Sequence, residues 1–196
     1  TSDDVVTLGA AISNGNIDLG AGDDTLTLGD FNNTLTVSNV ETLTGGSSAD
    51  SVRLGTAITA GTIDLGAGTD TLTLGNFANT LTVENVENII GGSSADVVTA
   101  GTAITAGTIN LGSGSDTLVL GDFANTLTVV SVETLTGGTD DDSVTFGAAV
   151  TAGTIDLGSG DDTVTLGNFN NTVTLSNVES INGGNLADRV TLGTAI

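Results

Sequence analysis

The 196-residue chain contains no Cys, Pro, Met, Trp, Tyr or His, and its only basic residues are Arg53 and Arg189. Each absence removes a class of answer. Without Cys there is neither a disulfide framework nor a thiolate metal site. Without His, Cys, Lys or Tyr, the common general acids, bases and nucleophiles reduce to carboxylates and hydroxyls. No constellation of residues occurs once and breaks the repeat, so catalysis is not expected. Against two bases stand 24 acids, for a net charge of -22, which argues against nucleic acid and anionic membrane surfaces as partners. No apolar run approaches the roughly 20 residues that span a bilayer, and no signal-peptide pattern is present. High charge with few aromatics ordinarily indicates disorder. Here Val, Leu and Ile alternate with polar residues, and that periodicity outweighs composition.

What the chain has is an internal repeat. Gly9, Gly55, Gly101, Gly147 and Gly193 lie 46 residues apart, giving four repeats (4–49, 50–95, 96–141 and 142–187) and a partial fifth (188–196). Nine aspartates return at alternating intervals of 20 and 26 residues: Asp4, Asp24, Asp50, Asp70, Asp96, Asp116, Asp142, Asp162 and Asp188. A period of this length indicates a solenoid, propeller or array. Segments such as Thr25-Leu26-Thr27-Leu28 and Thr34-Leu35-Thr36-Val37 alternate with period two and read as strands. The intervals suggest a 20-residue coil with strands around Val6–Leu8 and Ile17–Leu19. A 26-residue coil follows, with strands around Leu26–Leu28, Leu35–Val37 and Thr42–Thr44. The expected fold is all-β: a right-handed parallel β-solenoid, one continuous segment over 1–196 with two coils per repeat. The chain starts inside a turn and stops inside a repeat, so it reads as an uncapped excerpt of a longer array. Two coils per repeat would put all nine Asp in one column on one edge. Phe31, Phe77, Phe123 and Phe169 share one repeat position and read as corner packing on every second coil.

A glycine turn precedes each Asp. The short interval carries Gly20 and Gly22 before Asp24, repeated as Gly66 and Gly68, Gly112 and Gly114, and Gly158 and Gly160. The long interval carries Gly45 and Gly46 before Asp50, repeated as Gly91 and Gly92, Gly137 and Gly138, and Gly183 and Gly184. Two residues after each Asp comes Val or Leu. These turns resemble the RTX (repeats-in-toxin), or haemolysin-type, calcium-binding nonapeptide G-G-x-G-x-D-x-U-x, with Ser48, Ser94, Asp141 and Leu186 departing from it. The resemblance implies that turn carbonyls and Asp carboxylates bind Ca²⁺ between coils, the hard oxygen set this ion prefers. It covers the turns and following strands, whereas the family's 18-residue coil has such turns on both edges and this chain is expected to have them on one.

Electrostatics points the same way. Carboxylates on neighbouring coils about 5 Å apart repel by about 1–3 kcal/mol per pair at intermediate dielectric. One divalent ion in each of the eight gaps between nine Asp turns would offset 16 of the 22 negative charges. The competing reading is that each Asp accepts hydrogen bonds from turn N–H groups, as in an Asx turn. Both stand at this point.

Glu41, Glu87, Glu133 and Glu179 share a position and read as solvated or turn-bonding acids. Asp18, Asp64, Asn110 and Asp156 read as an outward-facing surface row. The leading functional reading is a non-enzymatic, Ca²⁺-stabilised rod. It would belong to a long secreted bacterial protein at the cell surface or outside the cell: an adhesin stalk, an S-layer component or a filament. Neighbouring repeats or subunits stacked end to end would be its partners, including in a self-assembled filament or lattice. The alternative is an ice-binding solenoid using Thr-x-Thr arrays such as Thr25/Thr27 and Thr34/Thr36.

Overall fold

The structure, a computed structural model, describes residues 2–193; Thr1 and residues 194–196 of the partial fifth repeat lie outside the described residues. Every regular element is a strand. In chain order they are β1 (Val5–Thr7), β2 (Ser13–Asp18), β3 (Thr25–Thr27), β4 (Thr34–Ser38), β5 (Thr42–Gly46), β6 (Ser51–Leu54), β7 (Gly61–Gly66), β8 (Thr71–Thr73), β9 (Thr80–Glu84), β10 (Asn88–Gly92) and β11 (Val97–Ala100). The series continues as β12 (Gly107–Gly112), β13 (Thr117–Val119), β14 (Thr126–Val130), β15 (Thr134–Gly138), β16 (Ser143–Phe146), β17 (Gly153–Gly158), β18 (Thr163–Thr165), β19 (Thr172–Ser176), β20 (Ser180–Asn182) and β21 (Arg189–Leu192). Odd-numbered strands form one parallel sheet of 11 strands and even-numbered strands a second of 10. Consecutive strands therefore lie on opposite sheets, and the chain winds as a parallel β-solenoid, as the period-two pattern leads one to expect.

Alternation fixes the core. In β3 the outward Thr25 and Thr27 flank a fully buried Leu26, and Leu28 and Leu43 are likewise sealed between the sheets. A single apolar cluster runs the length of the rod, built from Leu, Val and Ile with Ala100 and Phe146. Buried on one face only, these strands alternate cleanly instead of reading as the continuous apolar runs of a sheet covered on both faces. Ten spacings of about 4.8 Å make the larger sheet about 48 Å tall.

The division of the repeat into coils differs from the sequence reading. Each repeat does hold the five strands expected of it, but a coil uses two strands, so 46 residues make two and a half coils, not a coil of 20 and a coil of 26. The register shows this directly: Val5 pairs with Thr25, Thr25 with Thr42 and Thr42 with Thr62, steps of 20, 17 and 20 residues. The cause is the corner Asn39–Val40–Glu41. Asn39 sits at φ 54, a left-handed conformation that Asn tolerates better than most residues. That reverses the chain within three residues and sends β5 back to the first sheet beside β3. Among the described residues no third sheet forms. One repeat later every equivalent strand lies on the opposite sheet: β1 is in the first, β6 in the second, β11 in the first again.

Candidate metal sites at the two edges

Half-integral winding splits the nine aspartates between two edges. The corners leading into the first sheet hold Asp4, Asp24, Asp96, Asp116 and Asp188. Those leading into the second hold Asp50, Asp70, Asp142 and Asp162. The expected single column on one edge is thus corrected: glycine–aspartate turns occupy both edges, alternating by repeat. The Phe series alternates with them, so Phe31 and Phe123 share one edge and Phe77 and Phe169 the other. Phe77 packs its ring over Gly75, whose φ of 75 suits a residue without Cβ.

Between the Asp corners stand two residue types that sequence reasoning kept separate. On one edge successive corners present Ile12, Asn33, Asp50, Asp70 and Glu87, then Ile104, Asn125, Asp142, Asp162 and Glu179. A hydrogen-bond ladder links them. The Ile12 N–H donates to Asn33 Oδ1 at 3.0 Å, and the Asn33 N–H to Asp50 Oδ1 at 2.9 Å. The Asp50 N–H then donates to Asp70 Oδ1 at 2.6 Å, and the Asp70 N–H to Glu87 Oε2 at 2.8 Å. The same order recurs on the opposite edge as Ile58, Asn79, Asp96, Asp116 and Glu133. Each polar side chain satisfies a backbone N–H of the preceding coil, which would otherwise be buried without a partner.

The Glu residues read from sequence as solvated or turn-bonding acids are therefore acceptors in the ladder, and the four Asn had not been recognised as members. The signal was present in the spacing: Asp24, Asn33, Glu41 and Asp50 follow one another at 9, 8 and 9 residues, the half-coil of a nonapeptide solenoid. The row Asp18, Asp64 and Asp156 is not merely surface charge. Asp64 Oδ1 accepts from the Gly66 N–H at 3.0 Å and from Asn85 Nδ2 at 2.8 Å.

Half of each carboxylate is left over. Asp24, Asp50, Asp70, Asp96, Asp116, Asp142 and Asp162 are at most 3% exposed. In all seven Oδ1 accepts a hydrogen bond, while Oδ2 is buried without a partner. A buried, partnerless anionic oxygen is costly. Both bases lie on outward strand positions, Arg53 in register with Thr36 and Thr73 and Arg189 with Thr172, so neither neutralises an edge. Burial accordingly pushes the Asp70 carboxyl up to about 6, against the hydrogen bond from Asp50 and with help from the charge of Glu87. Asp116 and Asp162 are likewise pushed up to about 6, burial being the main cause. Asp50, Asp96 and Asp142 are raised for the same reason, opposed by their Asn partners. Asp4 and Asp188, near the two ends of the described rod, are less buried.

The glycines shape the turns that carry these acids. Gly66 has φ 81, and a Cβ there would run into the Gly46 carbonyl one coil before. A Cβ on Gly68 would meet the Ala49 backbone at 2.9 Å. Turn thus lies directly on turn, with backbone oxygens close to paired acids.

This arrangement matches a known repeat. The RTX calcium-binding nonapeptide repeat matches four stretches, residues 16–35, 62–81, 108–128 and 154–173. These four stretches are similar to RTX repeats. Each matched stretch holds one short-interval turn, ending at Asp24, Asp70, Asp116 or Asp162, together with the Asn corner of the ladder nine residues later, and the long-interval turns fall outside. No curated protein matches the chain. Among solved structures, it is similar to a hyperactive, Ca²⁺-dependent, β-helical antifreeze protein from an Antarctic bacterium, with 22% identity over 92% of this chain and 67% of the other and a TM-score of 0.29.

The residues of the glycine–aspartate turns fit a calcium ion. They supply carboxylate oxygens with no other partner, beside glycine-turn carbonyls, and Ca²⁺ takes 6–8 such oxygens. No group of three or more acidic side chains converges among the described residues, so a bound ion would draw the rest of its ligands from turn carbonyls and water.

Proposed function

We propose that this RTX-repeat solenoid is a non-enzymatic structural rod. Its edges are closed by Ca²⁺ held by the glycine–aspartate turns, with Asp24, Asp50, Asp70, Asp96, Asp116, Asp142 and Asp162 supplying carboxylate oxygens and Asp4 and Asp188 completing the series. The seven buried, partnerless Oδ2 atoms carry this reading. The ion's chemistry is charge neutralisation and cross-linking between coils. The chain's part is to hold the carboxylates in place through N–H donation to Oδ1 and to bring turn backbones close through glycine. Binding confined to the folded state stabilises by mass action. Affinities of about 10⁻⁴–10⁻³ M suit an extracellular module that folds in external calcium. The repeat type and the net charge of -22 support a place in a long secreted bacterial protein at the cell surface, as a stalk, lattice component or filament whose repeats stack end to end. Among the described residues no helix is long and apolar enough to cross a membrane.

Calcium titration followed by circular dichroism tests the reading. Structure gained, or a rise in melting temperature, on adding CaCl₂ to chelated protein is expected. Full β-structure in chelator with an unchanged melting temperature on adding calcium would sink it.

A second reading, ice binding, has a narrower basis. Thr25, Thr42, Thr62, Thr82 and Thr99 stand in register as a single file on the first sheet. The adjacent file runs Thr7, Thr27, Thr44, Asp64 and Glu84 and becomes charged. Thermal hysteresis measured on the calcium-loaded chain distinguishes the two.

A further inference from the structure

The ladder contains three chemically different steps between polar side chains, and they are not equivalent toward a cation. At the Asn–Asp step a donor already faces the carboxylate: Asn33 Nδ2 donates to Asp50 Oδ1 at 2.9 Å and to the Phe31 carbonyl at 2.8 Å. The same holds at Asn79, Asn125 and Asn171. A neutral amide therefore occupies the place where a charge would be needed. At the Asp–Glu step the next corner, Asn85–Val86–Glu87, contains no glycine turn. Glycine-bearing turns stack at the Asn–Asp step as well, where Gly46 lies against the Gly29 carbonyl, but only at the Asp–Asp step does a stacked pair, Gly45–Asp50 on Gly66–Asp70, carry two anions with no donor side chain between them. There, in each interior pair, both Oδ2 atoms lack a partner and both residues are at least 97% buried.

Resting on the calcium reading above, we infer that each repeat binds one divalent cation, at its Asp–Asp step, and that these sites alternate between the two edges of the rod. They do not form a continuous file. Asn ends each acidic block on one side. Beyond Glu on the other side the ladder stops, because the following corner presents Ile58, Ile104 or Val150 and only the Glu backbone carbonyl is used, as in the Thr108 N–H to Glu87 O bond. One ion neutralises the two carboxylates it touches, so charge balances locally and no ion needs to sit next to another. The interior pairs are Asp50/Asp70, Asp96/Asp116 and Asp142/Asp162. Asp4/Asp24 forms a fourth step, linked by an N–H to Oδ1 bond of 2.7 Å, but Asp4 is exposed, and this site is the weaker one.

Equilibrium dialysis of the 196-residue chain against CaCl₂, with bound metal counted by atomic absorption, tests this. Three equivalent ions and one weaker ion are expected. The paired change Asp96→Asn with Asp116→Asn removes one of the three. Asp64→Asn, outside the ladder, leaves the count unchanged. About eight ions, or a count unmoved by the paired change, overturns one cation per repeat while leaving the calcium-stabilised rod standing. No bound ion at millimolar calcium overturns both. If the paired variant fails to fold, crystals of the parent chain grown in CaCl₂ decide by anomalous scattering. Ions at Asp–Asp steps on alternating edges support the inference, and ions at Asn–Asp steps, or on one edge alone, overturn it.

Discussion

An interior edge aspartate engages one carboxylate oxygen with the backbone of the preceding coil and keeps the other buried and free. Both sequence-derived readings of the Asp series thus hold in part. The hydrogen bond exists, although its donor is the neighbouring coil and not the residue's own turn, and the oxygen left over is the one available to a cation. The consequence for pH can be signed. Asp70, Asp116 and Asp162 titrate near 6 in the fold and near 4 when unfolded. Between those values the folded chain holds more protons than the unfolded one, so stability is fullest below about 4 and is lost as pH rises through about 6. Repulsion within a chain of net charge -22 acts in the same direction. Chelated protein should melt at a higher temperature at pH 4.5 than at pH 7. Calcium, which requires the ionised carboxylates, should raise the melting temperature at pH 7 and add little at pH 4.5. A chelated melting temperature that climbs from pH 4.5 to pH 7 would contradict this account. At this scale the Asp residues were legible because nothing replaces them. Asn33 and Glu41 were not, because a one-letter motif does not show that Asn, Asp and Glu can occupy one rung.

Corners decide what the strands do. All five strands of a repeat could be read from alternation, since each needs only a period-two pattern and a turn at either end. Their grouping into coils could not, because it depends on the corner Asn39–Val40–Glu41, three residues that look like an ordinary loop. Its equivalents place Asn85, Ser131 and Asn177 at φ between 51 and 54. Asn39 donates its side-chain amide to Asp18 Oδ1 at 2.7 Å, and Asn85 does the same to Asp64. The third repeat departs from this: Ser131 takes the Asn position, and Asn110 replaces the Asp. Ala148 stands where Thr56 and Thr102 accept from the Asn backbone. Ser131→Asn should therefore stabilise the rod by about 0.5–1 kcal/mol, through better tolerance of the left-handed backbone and a new bond to Asn110. Urea unfolding of the two proteins measures it, and a destabilised variant would show that this corner is held by something other than its local conformation.

For the whole molecule, half-integral winding has a practical effect. Deleting residues 50–95 removes five strands, two and a half coils, and moves every downstream strand to the other sheet. Because each edge carries the same Ile–Asn–Asp–Asp–Glu order, the shortened chain should still fold. It should be about 12 Å shorter by small-angle scattering and bind one calcium ion fewer. Deleting residues 50–69 instead, a full 20-residue step, leaves strand parity unchanged but places Asn33 against Asp70 on one edge and Glu41 against Asn79 on the other. It also removes the Asp50 half of a pair, and should cost more stability than the longer deletion. The reverse ranking by thermal melting would mean that parity, not the ladder, governs folding.

The amino-acid sequence by itself determined that this protein is an all-β solenoid of 46-residue repeats with glycine–aspartate turns, because alternation, glycine placement and a recurring acid are local properties. The tertiary structure decided how many strands close a coil, and therefore which acids become neighbours. That outcome rests on long-range pairing, β5 returning to β3 and β7 instead of starting a new face. It turned a single column of nine aspartates into short acidic blocks on two edges.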